Sequence, residues 1–399
     1  MNVPVSRRVH QLTTGIFSEL AEKKRAAKAL GQDVIDLSIG SPDLPPPAEV
    51  QKALVENVKD GSQFGYTLRG LPEFHEAAAD FYYRRYGVQV MAETEVLQLM
   101  GSQDGLAHLA TALLNPEDAV LVPNPGYPIY EASVHISGAQ LIPMPLQKEN
   151  GFLPDLKSLA EQDLSRVKLM ILNYPGNPVT ALANREFFVE LVAFARRHNI
   201  VVAHDFAYSE LVFDGKRPLS LLSIPGAKEV AVEFNSLSKT FNMAGCRIGY
   251  VMGNQHIIGL LGRLKSHIDY GIFEPIQRAG IAALRSSHTV LDRLVQQYEQ
   301  RRNTLIGGLH EAGWPVPRSE ATMFVWAPIP NLVGRQAPWT SREFSFDLLE
   351  TTGVAVTPGN AFGSLGEGYV RIALVQPEQR LAEAAARINL FLDRARAAK

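Results

Sequence analysis

The sequence predicts an α/β protein: a large domain on a mostly parallel sheet, and a smaller α+β domain. Three observations carry this. Between about residues 95 and 252, short apolar runs alternate with stretches whose apolar residues recur at helical spacing. The C-terminal part changes style, to separated strands and long helices. Ahead of both, Ser41-Pro42-Asp43-Leu44-Pro45-Pro46-Pro47 places four prolines in six positions, which continue neither a helix nor a sheet ladder.

Taken in order, the proline run reads as a rigid crossing from an N-terminal segment into the main body. Val96–Met100, Ala119–Val122, Lys168–Leu172, Ile200–His204, Ala231–Phe234 and Ile248–Met252 read as buried strands. Leu106, Leu109, Ala110 and Leu113 mark one intervening helix, and Phe188, Leu191, Val192 and Ala195 another. Thr322–Pro328 and Tyr369–Val375 read as strands of the second domain. Thr340 and Glu343 form a capping box ahead of Phe344 and Leu348. Pro377 opens a last helix with Leu381, Ala385, Ile388 and Leu392 on one face. The expected division is residues 1–48, packing with the small domain, then 49–290 as the large domain and 291–399 as the small one.

Composition narrows the partners. With 399 residues, 46% hydrophobic, the chain buries a sizeable core and divides into two domains. A formal net charge of -2 gives no general attraction for nucleic acid or for an anionic membrane. The single cysteine, Cys246, excludes a disulfide framework and a multi-cysteine metal site within one chain, and reads as a packing residue. No long apolar run follows Met1–Arg8, so neither a signal peptide nor a membrane span is expected, and a cytoplasmic enzyme is the default.

The chemistry concentrates in Ser236-Leu237-Ser238-Lys239-Thr240, followed by Gly245-Cys246-Arg247-Ile248-Gly249. Hydroxyls and a guanidinium suit a phosphate, and burial beside a cation favours the neutral, nucleophilic form of a lysine. The alternative for Lys239 is a solvated loop lysine. Asp205 follows the strand Ile200–His204, where a carboxylate points into the crevice at the strand ends, unless it caps a helix. Tyr208 lies three residues on. Asn177 sits in Asn173-Tyr174-Pro175-Gly176-Asn177-Pro178 after another strand, where a plain Asn-Pro turn is the alternative. Ser102 and Gln103 begin a helix after a strand, a place for anions that is weak evidence alone. Arg371 interrupts an apolar strand and needs an anion, either a ligand carboxylate or a structural partner. No GxGxxG fingerprint or Walker A lysine is present.

These motifs resemble the class I/II pyridoxal-phosphate-dependent aminotransferases over about residues 35 to 375, and in particular the LL-diaminopimelate and alanine aminotransferase subgroup. The resemblance implies fold type I with a seven-stranded sheet, and pyridoxal 5'-phosphate carried on Lys239. It assigns Asp205 to the pyridine nitrogen, Tyr208 and Asn177 to the phenolic oxygen, and Tyr127 to the ring face. Ser102, Gln103, Ser236, Ser238 and Arg247 fall to the phosphate. Tyr66, in Gly65–Gly70, matches a tyrosine that reaches a neighbouring subunit's phosphate, which implies a homodimer with shared active sites. Arg371, Asn177 and the Gly40 backbone are implied at the substrate carboxylate, with Ile16 and Phe17 at the entrance. No metal is implied. The chain departs from the family's Pro-Thr-Gly run at Pro178-Val179-Thr180-Ala181.

The implied reaction is ping-pong transfer of an amino group from an L-amino acid to a 2-oxo acid, with Lys239 moving the α-proton. Phrases such as His204–Glu210 and Val232–Lys239 point to LL-diaminopimelate as donor and 2-oxoglutarate as acceptor. An alanine- or methionine-type aminotransferase is the alternative, and a C–S β-lyase a more distant one. Lys265–Gly271 contains no arginine, which weighs against aspartate.

Overall fold

The computed structural model describes residues 3–12, 15–331 and 337–397. Met1 and Asn2, part of the N-terminal stretch expected to carry no leader, lie outside the described residues. The strands in chain order are β1 Ile35–Asp36, β2 Val96–Leu99, β3 Ala119–Asn124 and β4 Gln140–Pro145. Then come β5 Val167–Asn173, β6 Val201–Asp205, β7 Ala231–Ser236 and β8 Gly249–Gly253. The last are β9 Phe324–Pro328, β10 Val354–Ala355, β11 Thr357–Pro358 and β12 Tyr369–Ala373.

Seven strands form the large sheet in the order β2-β8-β7-β6-β5-β3-β4. β8 runs antiparallel to both its neighbours, while the other pairings are parallel, so the sheet is mixed rather than uniformly parallel. β4 is a strand that the apolar pattern does not mark. It carries Pro143 and Pro145 and is largely accessible, which an edge strand tolerates because its outer groups need no ladder partner. The expected strands otherwise begin or end within one or two residues of the observed ones.

Both faces of the sheet are covered. Leu99, Leu106, Leu109, Val120, Val232 and Phe234 form a core on one side. Phe74, Leu172, Phe188, Leu191, Val202 and Phe206 belong to the core on the other. Helix Ser102–Leu113 lies close against the strands because Gly105 has no side chain: a Cβ there would meet Phe234 at 2.6 Å and Leu99 at 2.7 Å.

The smaller domain has the antiparallel sheet β11-β12-β9 and the parallel pair β1-β10. Its core packs Leu305, Leu309, Phe344, Leu348, Leu381 and Ile388, with Ile35 and Leu37 of the N-terminal segment. The capping box forms as expected: Thr340 accepts from the Glu343 N–H, and Glu343 accepts from the Thr340 N–H. The final helix is Glu378–Ala397, starting just after Pro377. Helix His288–Glu311 runs through the expected 290/291 division, which therefore falls in its first turn. The proline crossing has no regular structure, and buried Arg301 grips Asp43 with both terminal nitrogens at 2.7 Å. No helix among the described residues is long and apolar enough to cross a membrane.

Candidate active site

The strand directions bring the chemistry to one edge. Asn173, Asp205 and Ser236 end adjacent parallel strands. Gly249, which starts β8, pairs with Ser236 on one side and with Leu99 of β2 on the other. Gly101 and Ser102 follow β2 at that same edge. This is the crevice beyond the carboxyl ends of the strands, where open α/β sheets bind ligands. A cavity of about 560 Å³ lies there.

One end of the cavity is built for a phosphate. Helix Ser102–Leu113 begins with Gly101 in the left-handed region, φ 79°; no side chain caps it, and Ser102 and Gln103 of its first turn line the cavity. The Arg247 guanidinium lies against Gly101, where a Cβ would meet Nη2 at 2.6 Å. A Cβ on Gly249 would meet the Ser102 nitrogen at 2.9 Å, so both glycines are needed for the close approach. The Ser236 hydroxyl accepts from the Ser238 N–H at 3.3 Å. The buried Ser238 hydroxyl has no hydrogen-bond partner among the described residues. An orphaned hydroxyl beside free amides and a guanidinium fits a bound phosphate.

Asp205 lines the cavity and is buried. Its Oδ2 accepts from the Tyr130 hydroxyl at 2.7 Å and its Oδ1 from the Ala207 N–H at 3.2 Å. Burial pushes its pKa up, against opposing pulls from Tyr130, Ala207, His204 and Lys239. A cationic ring N–H is the partner that such a carboxylate fits. Of the two sequence readings, Asp205 therefore ends a strand rather than capping a helix.

Lys239 sits in the single helical turn Leu237–Thr240 and donates from Nζ to the Gly40 carbonyl at 2.7 Å. Its pKa falls to about 8, chiefly through desolvation, then through the charges of Arg371 and Arg247. It is not a solvated loop lysine. Arg371 is buried and its partners are neutral: Nη1 donates to Asn177 Oδ1 and Nη2 to the Ser38 carbonyl, both at 2.8 Å. Phe324 and Phe362 stand 4.2 Å and 4.7 Å from its central carbon, and its Nε has no acceptor among the described residues. Desolvation lowers its pKa to about 10. A carboxylate would satisfy it.

Tyr127 lines the cavity, its hydroxyl donating to Gln103 Oε1 at 3.2 Å. Tyr208 and Gly40 line it as well. The Asn177 N–H donates to Asn173 Oδ1 at 2.6 Å, and Asn173 Nδ2 to the Asp205 carbonyl at 2.7 Å, so the asparagine loop is tied to the end of β6. The Val179 departure is accommodated by packing: Val179 is buried with Leu146, Trp326 and Phe362, and Asn177 stays in the cavity wall.

One expectation changes. Phe17, not Ile16, lines the cavity: neighbouring residues on helix Gly15–Ala29 face directions about 100° apart, and the Phe17 ring packs on Phe362 at 5.9 Å. Tyr66, expected to reach a neighbouring subunit rather than its own cavity, lies outside that cavity, 83% exposed and packed against Tyr270 at 5.1 Å. Sequence reasoning missed Tyr130, Asn173, Phe324 and Phe362. Tyr130 lies one helical turn beyond Tyr127 and reads as core; its hydroxyl is what makes it part of the site.

A cavity with an amine, an isolated carboxylate, a phosphate cradle and a carboxylate-seeking arginine fits pyridoxal phosphate together with an amino acid. The comparisons agree. The family model for aminotransferase class I and II matches residues 32–388. An LL-diaminopimelate aminotransferase of Halothermothrix orenii is 44% identical over 383 residues, 96% of this chain and 97% of that protein. The substrate-bound structure of BacF from Bacillus subtilis is 39% identical with a TM-score of 0.92, covering 98% of each chain. A probable N-succinyldiaminopimelate aminotransferase from Thermus thermophilus is 39% identical, TM-score 0.87, covering 94% of this chain and 100% of that one. The chain belongs to the class I and II aminotransferases and is a pyridoxal-phosphate-dependent enzyme of that family.

Proposed function

We propose that this enzyme takes the amino group of LL-diaminopimelate and gives it to 2-oxoglutarate, using pyridoxal phosphate held in the described cavity. The observation that carries the reading is the meeting of Lys239, Asp205 and Arg371 in one cavity with an uncapped helix start. The identity to LL-diaminopimelate aminotransferases supports the choice of donor.

When bound, the cofactor supplies an electron sink that weakens the substrate's Cα–H bond. The chain's own groups do the rest. The helix start, Ser236, Ser238 and Arg247 would hold the phosphate; the Asp205 carboxylate, kept in place by Tyr130, would accept from the ring N–H and keep the proton on that nitrogen. Tyr127 would cover the ring face, and Tyr208 and Asn177 would flank its oxygen. Arg371 and Asn177 fix the substrate carboxylate, so that the Cα–H bond is presented in one orientation. Lys239, whose Nζ lies in the same cavity, would be the base that takes that proton and gives it back. Phe17, Phe324 and Phe362 limit water.

Exposed Tyr66 and Tyr270 support a homodimer in which Tyr66 completes the partner's phosphate site. A cytoplasmic setting is part of the same proposal, on the single cysteine and the charge balance, and cell fractionation tests it.

One observation favours a second reading. Among the described residues, Asp205 is the sole acidic group lining the cavity, so it holds no anion for a distal ammonium, and the apolar wall suits alanine or methionine. A donor screen with 2-oxoglutarate and pyruvate decides: LL-diaminopimelate, alanine, methionine and aspartate are compared by kcat/KM. Preference for LL-diaminopimelate upholds the first reading, and preference for alanine or methionine replaces it. Turnover without any keto acid would indicate a lyase instead. Light scattering of the holoenzyme tests the dimer.

A further inference from the structure

Beneath the site lies a pair of charged groups that the mechanism above does not use. His204 and Glu233 are cross-strand neighbours on β6 and β7, and both are wholly buried. Residues alternate along a strand, so His204 faces the core side while Asp205, next in the chain, faces the cavity. The Phe206 ring stacks on the imidazole at 5.2 Å, and Phe188 meets it edge-on at 5.4 Å.

The hydrogen bonds argue for the charge state. His204 Nε2 lies 2.9 Å from the Tyr174 carbonyl, which only accepts, so Nε2 carries a hydrogen. Nδ1 lies 2.7 Å from Glu233 Oε2. That carboxyl also receives the Ser220 hydroxyl at 2.6 Å and the Leu221 N–H at 2.8 Å. Donors converging on both oxygens favour a carboxylate, and a carboxylate facing Nδ1 favours an imidazolium.

A buried ion pair contributes little to stability. Well-packed apolar residues in the same space often do as well or better. Its presence asks for another role, and its neighbours supply one. Asp205 is a buried carboxylate that must remain an anion to hold the cofactor's ring nitrogen, and its own burial opposes that. The His204 charge is among the influences that favour the anion.

We propose that His204, held as a cation by Glu233 behind the sheet, is a positioning residue that keeps Asp205 ionised for the cofactor. The inference rests on the reading that Asp205 pairs with pyridoxal phosphate. The contacts to the Tyr174 carbonyl and to Glu233 fix the imidazole behind the strand end that carries Asp205. Glu233 acts only through His204.

The test compares the full-length wild type with Glu233→Gln, with the neutral double variant His204→Gln/Glu233→Gln, and with Ser220→Ala. Glu233→Gln keeps an acceptor for Ser220 while removing the charge. Ser220→Ala removes one hydrogen bond and no charge. Three quantities are read: pyridoxal phosphate affinity by absorbance titration of cofactor-free protein, its melting temperature, and kcat and KM of the holoenzyme. Both charge-removing variants are expected to lose about tenfold or more in cofactor affinity, because a protonated Asp205 no longer pairs with a cationic ring N–H. They are also expected to lose kcat with KM within about twofold, because Arg371 still holds the substrate. The double variant should melt no lower than the Ser220→Ala control.

Wild-type affinity and kcat in folded charge-removing variants would overturn the proposal. So would equal losses in Ser220→Ala, or failure of both variants to fold, since the pair would then be structural. A wild type that binds no pyridoxal phosphate would instead sink the cofactor reading on which the inference stands.

Discussion

The basicity of Lys239 gives the most direct test of the site. Desolvation and the charges of Arg371 and Arg247 bring its pKa from 10.5 to about 8. At pH 7 an amine with the ordinary value is neutral in roughly 3 molecules per 10,000, whereas one titrating near 8 is neutral in about a tenth. The site thus offers about 300 times more nucleophilic amine, the equivalent of about 3 kcal/mol. The rate at which cofactor-free protein captures pyridoxal phosphate, followed by absorbance and by borohydride trapping on Lys239, is expected to rise with pH about a midpoint near 8. Arg371→Gln removes a cation that depresses the amine, so the midpoint should move up. Asp205→Asn removes the anion that raises it, so the midpoint should move down. The same shift has a sign in stability. The folded protein binds fewer protons than the unfolded chain between about pH 8 and 10.5, so stability rises with pH across that window, and the penalty is complete below it. Lys239→Met should therefore melt higher than the wild type at pH 7, with the gain shrinking by pH 10. A capture midpoint at 10 or above, or one unmoved by Arg371→Gln, would refute the reasoning.

Three further outcomes follow from single contacts. Tyr130→Phe leaves Asp205 one donor short inside the protein, a loss of about 1–3 kcal/mol, seen as weaker cofactor binding in an absorbance titration. Arg371→Lys keeps a charge but loses the planar fork, and kcat/KM for all donors should fall about 10- to 100-fold, mainly through KM. Gly249→Ala drives a methyl group to 2.6 Å from the Asn235 carbonyl and 2.9 Å from the Ser102 nitrogen; it should weaken pyridoxal phosphate binding far more than binding of unphosphorylated pyridoxal, in the same titration.

What the sequence reveals of this site depends on contrast. Asp205 and Arg371 each interrupt or end an apolar run with a charge, and burying a charge is costly enough that such a residue must have a partner. Lys239 is legible from the hydroxyls and the Arg247 guanidinium around it. Ser236 is legible because it ends a strand that itself reads clearly, and Ser102 because it begins a helix just after one. Tyr130 is not, because a tyrosine on the inner face of a helix satisfies the core equally well, and its role depends on where its hydroxyl ends. Phe324 and Phe362 flank Arg371 from elements far apart in the chain, a juxtaposition without local signature. Ile16 and Phe17 differ only by one step around a helix, which apolar spacing near a helix start does not resolve. The edge strand β4 is obscured by its prolines, which is the composition that edge positions permit and interior ones forbid.

The charges in the cavity have a consequence for the order of events. Arg247 touches the start of the phosphate-binding helix, while Arg371 lies on Phe324, the ring that Gly40 abuts, and Lys239 donates to the Gly40 carbonyl. Both arginines line the cavity and depress the amine of Lys239. A phosphate on Arg247 and a carboxylate on Arg371 would screen these two charges. Lys239 is then least basic in the empty site, where it must be a nucleophile, and more basic once substrate is held, where it must take a proton. A simple carboxylate with no amine, such as propionate, should therefore raise the capture midpoint in the wild type and leave it unchanged in Arg371→Gln. Equal behaviour of the two proteins would show that Arg371 reaches Lys239 by some route other than charge.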